Sequence, residues 1–484
     1  MSISKAYDDN DAVGLGEVVD RGAFLEEAIE RTERLNPQLN AVVIEMYDEA
    51  RRRIDAGLPQ GPLRGVPFLL KDLVASYAGV PLRSGSRAFA DHVPSEHSEI
   101  VRRYLATGLV VFGKTNTSEW GILPTVETEL YGPCHNPWKL GVTTGGSSGG
   151  AAAAVAARIV PVAHGGDAGG SIRISASFCG VFGLKPTRGR NPLGPDQSER
   201  AHGLGAEHVV SLSVRDSAAF LDASAGPEDT APYWAPPKTS SYADEVNVHP
   251  GRLRIAFTSE PLLPADEHPE CRAAVKDAAK LLADLGHHVE EAHPRIDAHA
   301  TARAFFTIYC SGVAGEVVLS ERSKRPIRPE DVEPTTWLMS MIGRHVLSAG
   351  EMSAAIRELQ EVARHMHRFH RTYDVFLTPT LGKPPVAHGV LGPQGMEKRL
   401  HEAVAKRSMH LALKLPGLLD KAVARAYAFA PFTPIGNVTG QPGMSVPLFW
   451  SAESSSGDAT TLFRLGRLLA LPPPWRDVRP PVCS

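Results

Sequence analysis

Two stretches, Gly145-Gly146-Ser147-Ser148-Gly149-Gly150 and Asp167-Ala168-Gly169-Gly170-Ser171-Ile172-Arg173, decide how this 484-residue chain is read. Each sets a serine in a run of small residues, and 171 − 147 = 24 residues separate the two. Upstream, Gly65-Val66-Pro67-Phe68-Leu69-Leu70-Lys71-Asp72-Leu73 places a lysine in an apolar, strand-like run, 147 − 71 = 76 residues before Ser147. Taken singly, a Gly/Ser hexapeptide suits a linker or a phosphate loop, a lysine suits an ion pair, and a serine suits a turn. Taken together, one lysine and two serines are the parts of an amide hydrolase that requires neither histidine nor metal.

Amide cleavage proceeds fastest when a nucleophile splits one hard step into two easier ones. A serine hydroxyl is weak until a base takes its proton. Lysine serves as that base only when neutral, so its pKa must fall from about 10.4 toward working pH. Leu69, Leu70 and Leu73 supply apolar surroundings that desolvate the Lys71 ammonium. Strand alternation turns Asp72 to the opposite face. The expected relay runs Lys71 to Ser147 to Ser171, with Ser171 as nucleophile and Ser147 returning the proton to the leaving amine. The glycines before Ser171 let the main chain approach closely enough for backbone N–H groups to meet an oxyanion. Ala151 to Ala157 reads as a helix behind the Ser147 loop.

This combination resembles the amidase signature family, whose catalytic unit is Ser–cisSer–Lys. The likeness extends along most of the chain. Leu35-Asn36-Pro37-Gln38-Leu39-Asn40-Ala41 resembles that family's N-terminal helical hairpin turn. Val111-Phe112-Gly113-Lys114-Thr115-Asn116, Gly132-Pro133-Cys134-His135-Asn136-Pro137-Trp138, Cys179-Gly180-Val181-Phe182-Gly183-Leu184-Lys185-Pro186-Thr187 and Asn437-Val438-Thr439-Gly440 resemble further family segments. Pro161-Val162-Ala163-His164-Gly165-Gly166-Asp167 and Ala201-His202-Gly203 look most like the branch that includes 6-aminohexanoate cyclic dimer hydrolase. The resemblance implies Lys71, Ser147 and Ser171 as catalytic residues and the amides of Ala168, Gly169, Gly170 and Ser171 as the oxyanion hole. Ser148, Asp167 and Arg173 take supporting roles. It implies a bacterial amidase for a small amide or a linear or cyclic oligoamide, with no cofactor and no metal.

The chain departs from the family pattern at four places. Ser175 and Thr144 stand where proline is usual, and Gly166 stands where threonine is frequent, changes expected to loosen the oxyanion loop. Between Trp450 and Gly457 the connection is short, so a strand of roughly 15 residues is expected to be missing and a sheet edge exposed, with a final helix near Asp458–Leu469. Two alternatives follow: the amidase subunit of a transamidating complex, or a catalytically impaired homologue with a binding role.

The chain reads as one large α/β domain over 1–484, a mixed twisted sheet covered by helices on both faces, with the signature core at about 60–200. Val66–Leu70, Leu109–Phe112 and Val375–Leu377 read as strands, and Ala23–Leu35, Ile100–Ala106, Arg272–Leu285 and Ser353–His370 as helices. Residues 384–430 form a lid-like helical insert in which seven basic residues outnumber three acidic ones, 7 − 3 = +4. A lid over the site mouth fits it better than a helix lying on an anionic membrane. A net charge of −3 gives no reason to expect nucleic acid. A polar N-terminus and the lack of a long apolar run point to a cytoplasmic protein without a transmembrane segment. Its partners are a small-molecule amide and water, with a homodimer as one possible assembly. His365, His367 and His370 read as a solvated helical face, and Cys310 as a packed thiol near Phe305 and Tyr309.

Overall fold

The apolar runs become the middle of one large sheet. The computed structural model describes residues 3–17, 21–319, 321–392, 418–449, 458–463 and 479–483. Among these, eleven strands join in a single mixed sheet. They are β1 (Val42–Glu45), β2 (Pro67–Lys71), β3 (Val110–Thr115), β4 (Val162–Asp167), β5 (Phe182–Lys185), β6 (Ala206–Ser211), β7 (Arg254–Phe257), β8 (His288–Glu291), β9 (Val375–Pro379), β10 (Gly443–Phe449) and β11 (Asp458–Phe463). The order across the sheet is β1-β3-β2-β4-β6-β5-β10-β11-β9-β7-β8. β2 runs parallel to β3 and β4, and β7 parallel to β8 and β9. The strands between are antiparallel, with β6 paired to both β4 and β5.

Strands β2, β3, β4, β6 and β9 are buried at every position. A strand hidden on alternate residues alike has both faces covered. Helices Gly149–Ala156, Ser171–Cys179, Val214–Ser224 and Pro269–Asp284 pack on this sheet. The alanine-rich helix Gly149–Ala156 is wholly buried, as its lack of any polar face requires. The strands and helices expected from periodicity are present with ends shifted by a few residues: Arg21–Leu39, Glu99–Ala106, Pro269–Asp284 and Ala349–Phe369 are helical.

Two expectations are corrected. The turn after Leu39 leads into β1 and not into a second hairpin helix. Asn36 drives this: its Oδ1 accepts from Ala41 N and Val42 N, each at 2.8 Å, and its Nδ2 donates to Val42 O at 2.8 Å. Those bonds hold the chain extended just as it enters the sheet. The second correction concerns Asp458–Phe463, which forms β11 and not a helix. It fills the slot between β10 and β9, with Ser445 and Thr378 both paired to Thr461. The sheet is therefore continuous there and its edges are β1 and β8; the expected missing strand and exposed edge are absent at this point. The short connection 450–457 and most of the insert, 393–417, lie outside the described residues. No described helix is long and apolar enough to cross a membrane.

Candidate active site

Lys71 ends β2, with its side chain fully buried. Its Nζ lies 2.7 Å from Ser147 Oγ, 3.0 Å from Ser148 Oγ and 3.4 Å from Gly166 O. Burial pulls its pKa down to about 7; Glu207 and Asp167 push it back up and Arg200 adds to the fall. Half of the lysine is then neutral near pH 7, the condition for a base. Asp72 does point the other way: Oδ2 accepts from the Tyr131 hydroxyl at 2.8 Å and Oδ1 from Arg83 N at 3.1 Å.

Ser147 follows a cis peptide, Gly146–Ser147, and Ser148 immediately precedes helix Gly149–Ala156. Ser171 is the first residue of helix Ser171–Cys179, whose positive end favours developing negative charge. The Ser171 carbonyl accepts from Ser148 N at 3.4 Å, so the two serine loops are joined by their backbones. Gly170 has φ +132, and a Cβ there would stand 2.3 Å from Thr433 Oγ1, so no other residue fits. Asp167 and Arg173 form a wholly buried pair, with Nε to Oδ2 and Nη2 to Oδ1 both 2.9 Å. Burial raises the Asp167 carboxyl, but Arg173, Lys185 and Asn437 outweigh it and bring it down to about 2.

Of the four amides expected in the oxyanion hole, Gly170 N donates to Asp167 Oδ1 at 2.8 Å and is engaged in fixing the loop. Those of Ala168, Gly169 and Ser171 have no bond to the described residues. The loop is held from the far end of the chain as well. Asn437 Nδ2 donates to Asp167 O at 3.0 Å and to its Oδ1 at 2.8 Å, and Asn437 Oδ1 accepts from Arg173 Nη2 at 2.7 Å. Thr433 Oγ1 donates to Gly169 O at 2.8 Å. Neither Thr433 nor Asn437 was singled out from sequence as a site residue; Asn437 stood in a recognisable family segment, which was the available signal.

The unusual residues have local compensation, and the loop is bonded where loosening was expected. Ser175 Oγ donates to Ser171 O at 3.0 Å. Thr144 Oγ1 donates to Gly145 O at 3.2 Å. At Gly166 the space beyond the absent Cβ is occupied by the Glu207 carboxylate. Near the 167–171 loop stands an aromatic wall. A Cβ on Gly169 would lie 3.3 Å from the Tyr309 hydroxyl and 3.4 Å from the Phe305 ring, and Phe305 stacks on Tyr309 with centroids 4.9 Å apart. Tyr427 meets Phe305 edge-on. Cys310 is buried, and burial raises its thiol well above the usual range. His365 and His367 are exposed on helix Ala349–Phe369, and His370 Nδ1 lies 3.0 Å from Tyr373 O. Among the described residues no three metal-ligating side chains converge.

The family model described as Amidase matches residues 23–457. The chain belongs to the amidase signature family. It is an amidase, a hydrolase of carbon–nitrogen bonds other than peptide bonds. The 6-aminohexanoate-cyclic-dimer hydrolases of Pseudomonas sp. (strain NK87) and Paenarthrobacter ureafaciens are each 35% identical to it over 443 residues, covering 90% of this chain and 86% of theirs. A solved structure of 6-aminohexanoate cyclic dimer hydrolase superposes with a TM-score of 0.86 at 31% identity, covering all of both chains.

Proposed function

We propose that this amidase cleaves a carboxamide C–N bond through an acyl-enzyme on Ser171, with Lys71 as base and Ser147 as proton relay. The observation that supports this reading best is the buried Lys71 Nζ, 2.7 Å from Ser147 Oγ, with burial pulling its pKa down to about 7. Ser171 Oγ attacks the carbonyl carbon, its proton passes to Ser147, and the Ser147 proton passes to Lys71. The resulting oxyanion takes bonds from the free amides of Ala168, Gly169 and Ser171, each such donor typically contributing about 2.7–4 kcal/mol. The C–N bond then breaks as Ser147 gives its proton to the departing nitrogen and recovers one from Lys71. Water then attacks the ester as its proton passes to Ser147 and on to Lys71, and the intermediate collapses to the acid as the proton returns by that route to Ser171 Oγ.

The substrate is a small amide or a linear or cyclic oligoamide. The Phe305–Tyr309 wall beside the oxyanion loop suits an apolar acyl chain, and the relatives named for 6-aminohexanoate cyclic dimer point the same way. The test is intact-mass analysis after exposure to a fluorophosphonate probe. One adduct on Ser171 is expected, and none in Ser171→Ala, whose turnover of short amides falls by about 10⁵-fold or more. An adduct elsewhere, or turnover retained by that variant, removes Ser171 as the nucleophile.

A further inference from the structure

Glu207 takes no part in the proposed relay, yet its carboxylate lies directly beneath it. On β6 it faces Gly166 across the antiparallel ladder, one residue before Asp167. It is 1% exposed. A Cβ at position 166 would lie 2.5 Å from both of its carboxylate oxygens, so Glu207 fills the volume of the side chain that Gly166 lacks. Its contacts are loose for a buried charge. Arg200 Nη1 lies 3.5 Å from Oε1 and His164 Nε2 lies 3.3 Å from Oε2. Oε2 and both ring nitrogens of His164 have no hydrogen bond among the described residues. Burying a carboxylate with such partners is unfavourable for folding by itself, so a reason for it must be sought in what surrounds it.

That reason lies at Arg200 and Lys71. Arg200 Nη2 donates to Trp120 O at 3.1 Å. It also borders Ser147: a single point, the Cβ position of Gly121, is 3.0 Å from Arg200 Nη2 and 3.1 Å from Ser147 Oγ. A cation thus lines the same small space as the hydroxyl that would pass a proton to Lys71. We propose that Glu207 is a positioning residue that anchors the Arg200 guanidinium beside Ser147 and balances its charge, so that Lys71 remains able to take up the relayed proton. The inference rests on Lys71 being the base.

The charges that face Lys71 are Glu207 and Asp167, which favour its protonation, and Arg200, which opposes it, all acting against the larger effect of burial. Asp167 is already committed to Arg173. Glu207 is faced in turn by Arg200, by His164 on β4 and by Tyr104, whose ring lies 6.3 Å from that of His164. With Glu207 neutralised, burial and Arg200 are opposed by Asp167 alone, and Lys71 holds its proton less tightly. With Arg200 neutralised the balance moves the other way.

The experiment measures kcat/KM against pH for one uncharged amide with wild type, Glu207→Gln and Arg200→Met, each also labelled by the fluorophosphonate. The acidic limb of the profile reports the base of the free enzyme. It is expected to move to lower pH by about one unit in Glu207→Gln and to higher pH by about one unit in Arg200→Met, the effect of a unit charge several ångströms away at an effective dielectric of about 20. A uniform loss of rate with an unmoved limb in both, or shifts of the same sign, overturns the inference. If Glu207→Gln fails to fold, an unmoved limb in Arg200→Met does so alone. Wild type that never labels at Ser171 overturns the relay instead, which keeps the two failures apart.

Discussion

Lys71 and Lys114 sit on neighbouring parallel strands, both with no exposure, and only Lys71 meets serine hydroxyls. Burial depresses both, Lys71 to about 7 and Lys114 to about 8. The difference lies in what each nitrogen meets. Lys114 Nζ donates to Pro81 O at 2.7 Å and is favoured in its charged form by Asp72, which burial itself pushes up and Lys114 pulls back. Lys71 Nζ meets two hydroxyls, one of them the Ser147 hydroxyl of the proposed relay. Lys71 at the end of β2 and Asp72 just beyond it thus serve opposite faces. Desolvation makes a lysine ammonium a stronger acid and so leaves part of it neutral; the partner decides whether that is used.

Methionine at each position breaks the comparison most forcefully. Lys71→Met removes the base, and turnover is expected to fall by about 10³- to 10⁴-fold, near the upper range for general-base catalysis. The same change removes a buried ammonium that makes no ion pair, its nearby carboxylates Asp167 and Glu207 being faced by Arg173 and Arg200, so the melting temperature should rise at pH 6. Lys114→Met leaves Asp72 buried without its compensating charge and is expected to cost about 3 kcal/mol of stability, with kcat/KM of the folded protein preserved. Chemical denaturation and steady-state kinetics on the two variants check this. Opposite signs in stability carry the argument; two variants that lose stability alike would dissolve the distinction.

A smaller perturbation enters from the sheet. Gly166→Ala puts a methyl 2.5 Å from the Glu207 carboxylate, in a region with no free space. Overpacking of this kind is expected to cost about 2 kcal/mol, read as a lowered denaturation midpoint. The same substitution on the Lys114 side, Gly113→Ala, meets the Leu69 and Val42 side chains at 3.1 and 3.2 Å but also Ile44 O at 2.9 Å, and so disturbs packing without reaching a charge. Only Gly166→Ala should alter the pH profile.

The two regions also differ in how much of them the sequence revealed. The meeting of Lys71 with Ser147 and of the two serine loops was legible because glycine runs and a lysine in an apolar strand are local signals, and their spacing made them joint ones. β2, β3 and β9 were legible because buried strands read as short apolar runs. Glu207, Arg200, Thr433 and Asn437 were not, since each acts on the oxyanion loop or Lys71 from a distant segment. The clue for Glu207 was a carboxylate inside Ala206-Glu207-His208-Val209-Val210, a run otherwise apolar enough to be a central strand. β11 was misread because Asp458-Ala459-Thr460-Thr461-Leu462-Phe463 owes its extended form to pairing on both sides with β10 and β9. Its two adjacent β-branched threonines were the local hint.

The gentlest way to sharpen the comparison needs no mutation. If Lys71 must be neutral to accept the Ser147 proton, kcat/KM should fall tenfold per pH unit below about 7 and level off above it. Lys114 has no such role, so Lys114→Met should leave this limb in place. The sign in stability runs in parallel. The unfolded lysine keeps its proton to about 10.4, whereas folded Lys71 gives it up near 7, so between those values the unfolded chain binds more protons and stability from this residue rises with pH. Below 7 the lysine is charged in both states and the full penalty of burying that charge persists. In wild type, activity should therefore climb up to about pH 7 and level off there, while this component of stability stays flat below about 7 and climbs above it. In Lys71→Met both dependences should vanish at once. A limb that stayed while the stability slope disappeared would assign the titration seen in kinetics to a group other than Lys71.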